Sequence, residues 1–150
     1  MKIGIYSILI ACIISGLILA SCGGMAANPA NESADGSPNH IDPPEEYAGR
    51  TNPFQGDSEA GAEGESLYQS NCYSCHGEEA RGDGPAAAAL EPRPPDLVTD
   101  QSELSDAYLH WRIAEGGMMR PFNSVMPSWK GILSEEQIWK IITYLRTLQG

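Results

Sequence analysis

The chain has 150 residues, of which 41% are hydrophobic, and its 20 acidic and 9 basic residues give a formal net charge of -11 at pH 7. This length allows one modest domain, and the composition is that of a soluble acidic protein. No cluster of Lys and Arg is present, which argues against nucleic acid as a partner, and any attachment to a membrane would need an apolar segment or a covalent lipid.

Residues 1–21 are predicted to be a lipoprotein signal peptide. Lys2 is followed by an uncharged run from Ile3 to Ala20 and then by small residues, which is the order of a secretory signal. The run ends in Leu19-Ala20-Ser21-Cys22, which resembles the lipobox of bacterial lipoproteins, whose cysteine is acylated. We therefore expect a lipid on Cys22 and an exported protein anchored at the extracytoplasmic face of a bacterial membrane. An uncleaved signal anchor is the alternative, since the run is nearly long enough to span a bilayer.

Residues 22–57 are predicted to form an extended linker. They are rich in Pro, Asn, Gly, Ala, Ser and acidic residues, with almost no large aliphatic side chains and no helical or strand periodicity. Between Gly23 and Glu59 there are seven acidic residues and a single arginine, Arg50. Repulsion between like charges should therefore keep the segment extended. Its aromatic residues, Tyr47 and Phe54, are expected to dock on a partner subunit.

Residues 58–150 are predicted to form one all-α domain, whose first helix runs from Glu59 to Asn71. Gly64 lies four residues before Tyr68 and leaves a notch on the same helical face. A second helix would cross closely at this notch, and Tyr144 of the last helix is expected to meet Gly64 there.

The next five residues, Cys72-Tyr73-Ser74-Cys75-His76, have the C-x-x-C-H signature of c-type haem attachment. Each thiol can add to one vinyl group of the porphyrin, and His76 then lies beneath the iron as its proximal ligand. A thioredoxin-like redox pair would need a βαβ context, and a zinc site would need two further Cys or His ligands at short spacing. The chain offers neither, so one covalently bound haem c is predicted, which also supplies much of the core of so small a domain.

The segment 77–97 is predicted to be a proline-rich loop with one helical turn at Ala86 to Leu90. A rigid carbonyl close to His76 would accept the proton of its outward ring nitrogen, which fixes the tautomer and strengthens the bond to iron. Pro95 is the candidate for that carbonyl.

A further helix is predicted from the cap Ser105 to about Glu115, ended by the Gly116-Gly117 pair. Tyr108, Leu109 and Ile113 are assigned to the core. His110 lies among them, and a lone helical histidine is expected to be a hydrogen-bonded or surface residue more often than an iron ligand.

The second axial ligand is expected in the segment 118–131, which holds three methionines. A thioether is a soft donor suited to haem iron and raises the reduction potential relative to a second histidine. Met126 is preferred because it precedes Pro127, which would keep the ligand loop stiff. Met118 and Met119 are assigned to core filling.

The last helix is predicted from Ser134 to Leu148. Ser134 and Gln137 form a capping box, and apolar residues recur at helical spacing from Ile138 onwards. Trp129, just before this helix, is expected to pack on the porphyrin or to donate its indole N–H to a propionate, with plain core packing as the alternative.

Residues 60–148 resemble a class I monohaem cytochrome c domain. The resemblance rests on the C-x-x-C-H motif and on the residues Gly64, Tyr68, Pro95-Asp96-Leu97, Met126-Pro127-Ser128-Trp129, Ile141 and Tyr144. It implies an all-α fold whose first and last helices cross around one haem, with His76 and Met126 as axial ligands. With the lipobox and linker added, the chain resembles the lipid-anchored monohaem subunit of alternative complex III, a bacterial quinol-oxidising complex.

Three functions fit these residues. The preferred one is a non-enzymatic, membrane-tethered carrier of single electrons, which takes them from another haem or an iron–sulfur centre in a larger complex and passes them to a downstream acceptor. The second is a haem enzyme or sensor with an open or labile sixth position, where Arg120 or His110 would act on peroxide or a gas; neither residue has a motif around it. The third is a haem domain that only buttresses a complex.

Overall fold

The computed structural model describes residues 41–99 and 103–149, which are almost entirely helical or loop. The helices are α1 (Ser58–Asn71), α2 (Tyr73–His76), α3 (Asp106–Glu115) and α4 (Glu135–Leu148), with a 3-10 turn at Ala87–Ala89. Within these two ranges there is no strand, and Lys130 and Leu133 form an isolated bridge. The predicted helical fold is confirmed for this part of the chain.

The predicted signal peptide, the lipidation site Cys22 and the first part of the linker lie outside the described residues. No helix in the described ranges is long and apolar enough to cross a membrane.

Side chains that the sequence supplies at the right positions set the helix ends. Ser105 accepts a hydrogen bond from the Tyr108 amide at the start of α3, and Ser134 forms a capping box with Gln137 at the start of α4. Both predicted caps are confirmed. The side chain of Asp57 caps α1 by accepting from the amides of its second and third following residues, so the residue predicted to end the linker begins the first helix instead.

Helices α1 and α4 cross at Gly64. A Cβ atom on this residue would overlap the carbonyl oxygen of Lys140 and lie 3.1 Å from the Ile141 nitrogen, so glycine alone permits the approach. The predicted crossing is confirmed, since the backbone of α4 at Lys140 and Ile141 lies closest to the notch, one turn before Tyr144. The Tyr144 ring packs on Tyr68, with 5.3 Å between centroids, and its contact with Gly64 stays a prediction.

The core lies between α1, α3 and α4. Its most completely buried large side chains are Tyr68, Leu104, Ile141 and Ile142. Arg146 of α4 pairs with Asp106 at 2.8 Å, and it also donates to the carbonyl of Leu104. These polar contacts join the start of α3 to the end of α4.

Residues 44–57, which we call the strap, are packed against α3 and α4. Tyr47 is 5% exposed, Asn52 donates from Nδ2 to the Thr143 hydroxyl at 2.9 Å, and Phe54 packs against the core. The structure therefore corrects two expectations. This part of the predicted linker belongs to the folded unit. Tyr47 and Phe54 cover the helices of their own domain, because the core of that domain presents apolar surface to them.

Candidate haem site

All six side chains predicted to contact haem line one cavity of about 310 Å³. They come from the C-x-x-C-H segment, the proline-rich loop and the segment after α3: Cys72, Cys75, His76, Pro95, Met126 and Trp129. The volume falls within the usual range for small-molecule and cofactor sites. Most of the remaining wall is apolar.

The C-x-x-C-H segment forms α2 as a short continuation of α1. The Cys72 amide donates to the Tyr68 carbonyl at 2.7 Å, and the His76 amide donates to the Cys72 carbonyl at 2.9 Å. The loop that follows satisfies the last carbonyls of α2, since the amide of Gly82 donates to His76 at 2.9 Å and that of Ala86 donates to Ser74 at 2.9 Å. The two thiols and the imidazole are therefore held by backbone hydrogen bonds on both sides.

The Cys72 thiol lacks the lowered pKa of a reactive redox cysteine. Both cysteines are free and half-buried, and burial, followed by the neighbouring Cys75, raises the pKa of Cys72 to about 12. A reactive redox cysteine needs a lowered pKa. Across the described ranges, no three His, Cys, Asp or Glu side chains come together as a metal site.

His76 has the protonation state that a metal ligand requires. Burial lowers its pKa to about 4, so the imidazole is neutral at physiological pH and has a lone pair to donate. Its Nδ1 atom is buried and has no hydrogen-bond partner among the described residues. The predicted hydrogen bond from Nδ1 to the Pro95 carbonyl is not formed in the structure, although Pro95 lines the same cavity; its role as a haem contact stays a prediction.

Met126 is held in the cavity wall by main-chain hydrogen bonds to the end of α3. The Gly117 amide donates to the Met126 carbonyl at 2.9 Å, and the Ser124 amide donates to the Gly117 carbonyl at 2.8 Å. Gly116 has a φ of 75°, and a Cβ atom there would lie 2.6 Å from the Pro127 carbonyl oxygen. A glycine is thus required by both the backbone conformation and the closeness of the ligand segment.

Of the three methionines that compete as the second ligand, Met126 alone lines the cavity. Met119 packs against the core as expected. The assignment of Met118 to the core is wrong, because its side chain is 75% exposed.

His110 and Arg120 do not line the cavity. His110 is 3% exposed and packs between the rings of Tyr47 and Trp139, at centroid distances of 5.8 and 4.2 Å. Neither of its ring nitrogens has a hydrogen-bond partner among the described residues, so the expectation of a surface or hydrogen-bonded histidine is wrong. In the described part of the chain, neither of the two residues considered for a distal role in a haem enzyme, His110 and Arg120, therefore lies in the cavity wall.

The sequence analysis assigns no role to the two charged residues of the cavity wall, the exposed Arg93 and the half-buried Arg112 of α3. Burial lowers the pKa of the Arg112 guanidinium. The signal is present in the sequence, since Arg112 is the one arginine of α3, which has no lysine, and lies between Trp111 and Ile113. A basic residue on a helix is usually solvent-exposed, so the general tendency gives no reason to place Arg112 in a cavity wall.

A helical domain whose cavity joins a C-x-x-C-H motif to a methionine defines a cytochrome c. Residues 59–145 match the family model of subunit III of cbb3-type cytochrome c oxidase, and the chain belongs to this family. The cofactor is a covalently bound haem c. The resemblance to cytochromes c is thereby confirmed.

Three known proteins show the extent of the similarity. The cbb3-type cytochrome c oxidase subunit CcoP of Azospirillum brasilense is 30% identical over 112 residues, which cover 70% of this chain and 34% of the relative. The chain thus spans about a third of that protein. A chain of the reducing HAO-like protein complex of Kuenenia stuttgartiensis is 26% identical, with a TM-score of 0.51 over 61% of this chain and 44% of the other. Cytochrome cL of Methylophaga aminisulfidivorans is 28% identical, with a TM-score of 0.48 over 63% and 56%.

Proposed function

We propose that this protein is a membrane-tethered c-type cytochrome that carries single electrons. The observation that carries the proposal is the single cavity lined by Cys72, Cys75, His76 and Met126. These residues would supply two covalent anchors for haem c and two side chains of types that bind haem iron. Haem c, when bound, supplies the one-electron change between ferric and ferrous iron.

Each of these side chains has a defined task. The thiols of Cys72 and Cys75 would form thioether bonds with the vinyl groups, and the neutral imidazole of His76 would donate to the iron. The thioether of Met126 would fill the sixth position, so that no position stays open for a substrate. The apolar wall, with Trp129 and Pro95 as haem contacts, excludes water and so limits the reorganisation that accompanies each change of charge.

The predicted lipid on Cys22 would keep the domain at the extracytoplasmic face of the membrane. Tethering raises the local concentration of the domain beside membrane partners, so that a weak docking surface suffices. In the finer form of the proposal, the protein is a subunit of a respiratory or photosynthetic quinol-oxidising complex that resembles alternative complex III. Its donor would be another haem or an iron–sulfur centre of that complex.

The family match and the relative named as an oxidase subunit favour a second candidate, in which the domain delivers electrons to a terminal oxidase. The two candidates differ in the reaction of the complex that contains the chain. The tagged full-length protein, purified with its complex from native membranes, should oxidise quinol in the first case and reduce oxygen with a reduced carrier in the second. Mass spectrometry of its N-terminal peptide tests the lipid on Cys22.

The axial ligand is tested by Met126→Ala, with the exposed Met118→Ala as its matched control. We expect the ferric holoprotein to show a sulfur-to-iron charge-transfer band that Met126→Ala abolishes and Met118→Ala retains. Carbon monoxide should bind to the reduced Met126→Ala protein and not to the unmutated one. Ready binding of carbon monoxide by the unmutated protein would refute the carrier and support an open-site haem protein.

A further inference from the structure

Tyr68 of α1 holds both ends of the C-x-x-C-H segment. Its carbonyl accepts a hydrogen bond from the Cys72 amide at 2.7 Å, where the segment begins. Its hydroxyl donates to the carbonyl of Gly77 at 2.7 Å, directly after His76. One residue therefore contacts the backbone on both sides of the two thiols and the imidazole.

The bond from the Tyr68 hydroxyl to Gly77 lies in the protein interior. Tyr68 is 1% exposed, and Gly77 is buried. Burial raises the pKa of the Tyr68 phenol above its ordinary value, so the hydroxyl keeps its proton at physiological pH. The Ala80 amide reaches the same Gly77 oxygen at 3.4 Å, which is long for a hydrogen bond. Loss of the Tyr68 hydroxyl would therefore take the better donor away from a buried carbonyl.

The Tyr68 side chain also belongs to the wall of the haem cavity, together with Cys72, Cys75 and His76. Hydrogen bonds around an iron ligand set its orientation and tune the potential of the iron. Nδ1 of His76 has no hydrogen-bond partner among the described residues. In this part of the chain, the orientation of the imidazole therefore depends on the hydrogen bonds that hold the backbone on either side of His76.

We propose that Tyr68 is a positioning residue for the proximal ligand: it fixes the backbone before Cys72 and after His76, and so orients the imidazole towards the iron. The proposal rests on the proposed function, since it requires haem c bound through this segment. The hydroxyl dipole also offsets the negative end of the Gly77 carbonyl beside the ligand. Without this dipole, the partial negative charge of the carbonyl would stabilise ferric iron.

The reduction potential of the holoprotein tests this role. Tyr68→Phe keeps the ring in the core and removes the hydroxyl, so we expect a lower potential than that of the unmutated protein. The matched control is Tyr144→Phe, since the Tyr144 ring packs on Tyr68, its hydroxyl hydrogen-bonds with Gln69 and it does not line the cavity. A purely structural role for Tyr68 would change stability and leave the potential as it is. The proposal is wrong if the potential of Tyr68→Phe does not lie below that of Tyr144→Phe.

A second measurement follows the bond between His76 and the iron. In a Met126→Ala background the reduced iron lacks its sixth protein ligand, and resonance Raman spectroscopy then detects the iron–histidine stretching vibration. Adding Tyr68→Phe should shift or broaden this band, and adding Tyr144→Phe should leave it unchanged. Identical bands in the two double variants would refute an orienting role for Tyr68.

A measurement on the unmutated protein covers the case in which Tyr68→Phe fails to incorporate haem. In the reduced, diamagnetic holoprotein, the Tyr68 hydroxyl proton should exchange slowly with solvent and show nuclear Overhauser effects to the α protons of Gly77. Rapid exchange of this proton would overturn the proposal. The outcome is separate from that of Met126→Ala, because a protein with an intact charge-transfer band and a rapidly exchanging hydroxyl keeps the carrier function and loses this role for Tyr68.

Discussion

Tyr47 of the strap donates a hydrogen bond from its phenol to the carboxylate of Glu115, the last residue of α3. The same carboxylate accepts from Nζ of Lys130 at 2.8 Å, directly after Trp129 of the cavity wall. The hydrogen bonds from Lys130 and Tyr47 hold the pKa of Glu115 below its usual range. One carboxylate thus joins the strap to the segment that carries the proposed iron ligand.

Removal of this phenol tests whether the strap is part of the folded unit. Tyr47→Phe should lower the free energy of unfolding by about 1.5 to 3 kcal/mol, the usual contribution of a hydrogen bond to a charged group. Urea denaturation of the holoprotein measures it. In a Glu115→Gln background the loss should be smaller, since the acceptor has lost its charge. Equal losses in both backgrounds would contradict a coupled pair.

The helix crossing offers a matched pair of glycines. Gly64→Ala should destabilise the protein by about 2 to 3 kcal/mol, because the added methyl overlaps the α4 backbone and forces the helices apart. Gly61→Ala lies on the same helix, where a Cβ would meet only the Thr143 and Thr147 methyl groups at 3.9 Å. It should be neutral or stabilising by up to about 1 kcal/mol through helix propensity. Thermal unfolding that ranks the two variants the other way would refute the close crossing.

Alanine substitutions at two glycines with the same backbone conformation distinguish the effect of backbone strain from that of a clash with the segment that carries Met126. Gly116 and Gly131 have φ values of 75° and 87°, so alanine is strained at both. A Cβ on Gly116 would press on the backbone of Met126 and Pro127, whereas nothing lies within 4 Å of one on Gly131. Gly116→Ala should therefore weaken the charge-transfer band and admit carbon monoxide to reduced iron, and Gly131→Ala should do neither. Identical spectra of the two variants would show that Gly116 does not position Met126.

His110 should make the stability of the protein sensitive to acid. Burial, and after it the charge of Arg50, lowers its pKa below the ordinary value of 6.5, while Glu135 opposes them. As pH falls through 6.5, His110 becomes protonated in the unfolded chain and stays neutral in the folded one. The contribution of His110 to the free energy of unfolding is therefore fully present above this pH and declines below it.

His110→Phe keeps an aromatic ring between Tyr47 and Trp139 and cannot titrate. Relative to this variant, the unmutated protein should lose stability when urea denaturation is repeated from about pH 8 down to about pH 5. A constant difference between the two proteins over this range would mean that His110 is not the group responsible.

Local patterns in the sequence suffice to predict the N-terminal ends of α3 and α4 and to select residues that line the cavity. Ser105, Ser134 and Gln137 act on amides within three residues, so their roles can be read from spacing. The C-x-x-C-H motif is equally local. Met126 was preferred over its two competitors because of the proline that follows it, and the structure places it in the cavity.

Contacts between distant segments could not be read in the same way. The strap is polar in composition, and its packing depends on Tyr47, Asn52 and Phe54, which have no periodic spacing. The partner of Gly64 depends on the register between two helices, which a notch alone does not fix. The burial of His110 follows from the strap that covers it, so an error about the strap led to an error about the histidine.

The pairing of Gly117 with Met126 and Ser124 also closes the base of the segment 118–123. Because these are main-chain bonds, they do not depend on which side chains the enclosed residues carry. The tip at Arg120 is exposed, and lengthening a surface loop costs little closure entropy. An insertion at Arg120 would therefore be expected to leave the main-chain bonds at the base of this segment in place.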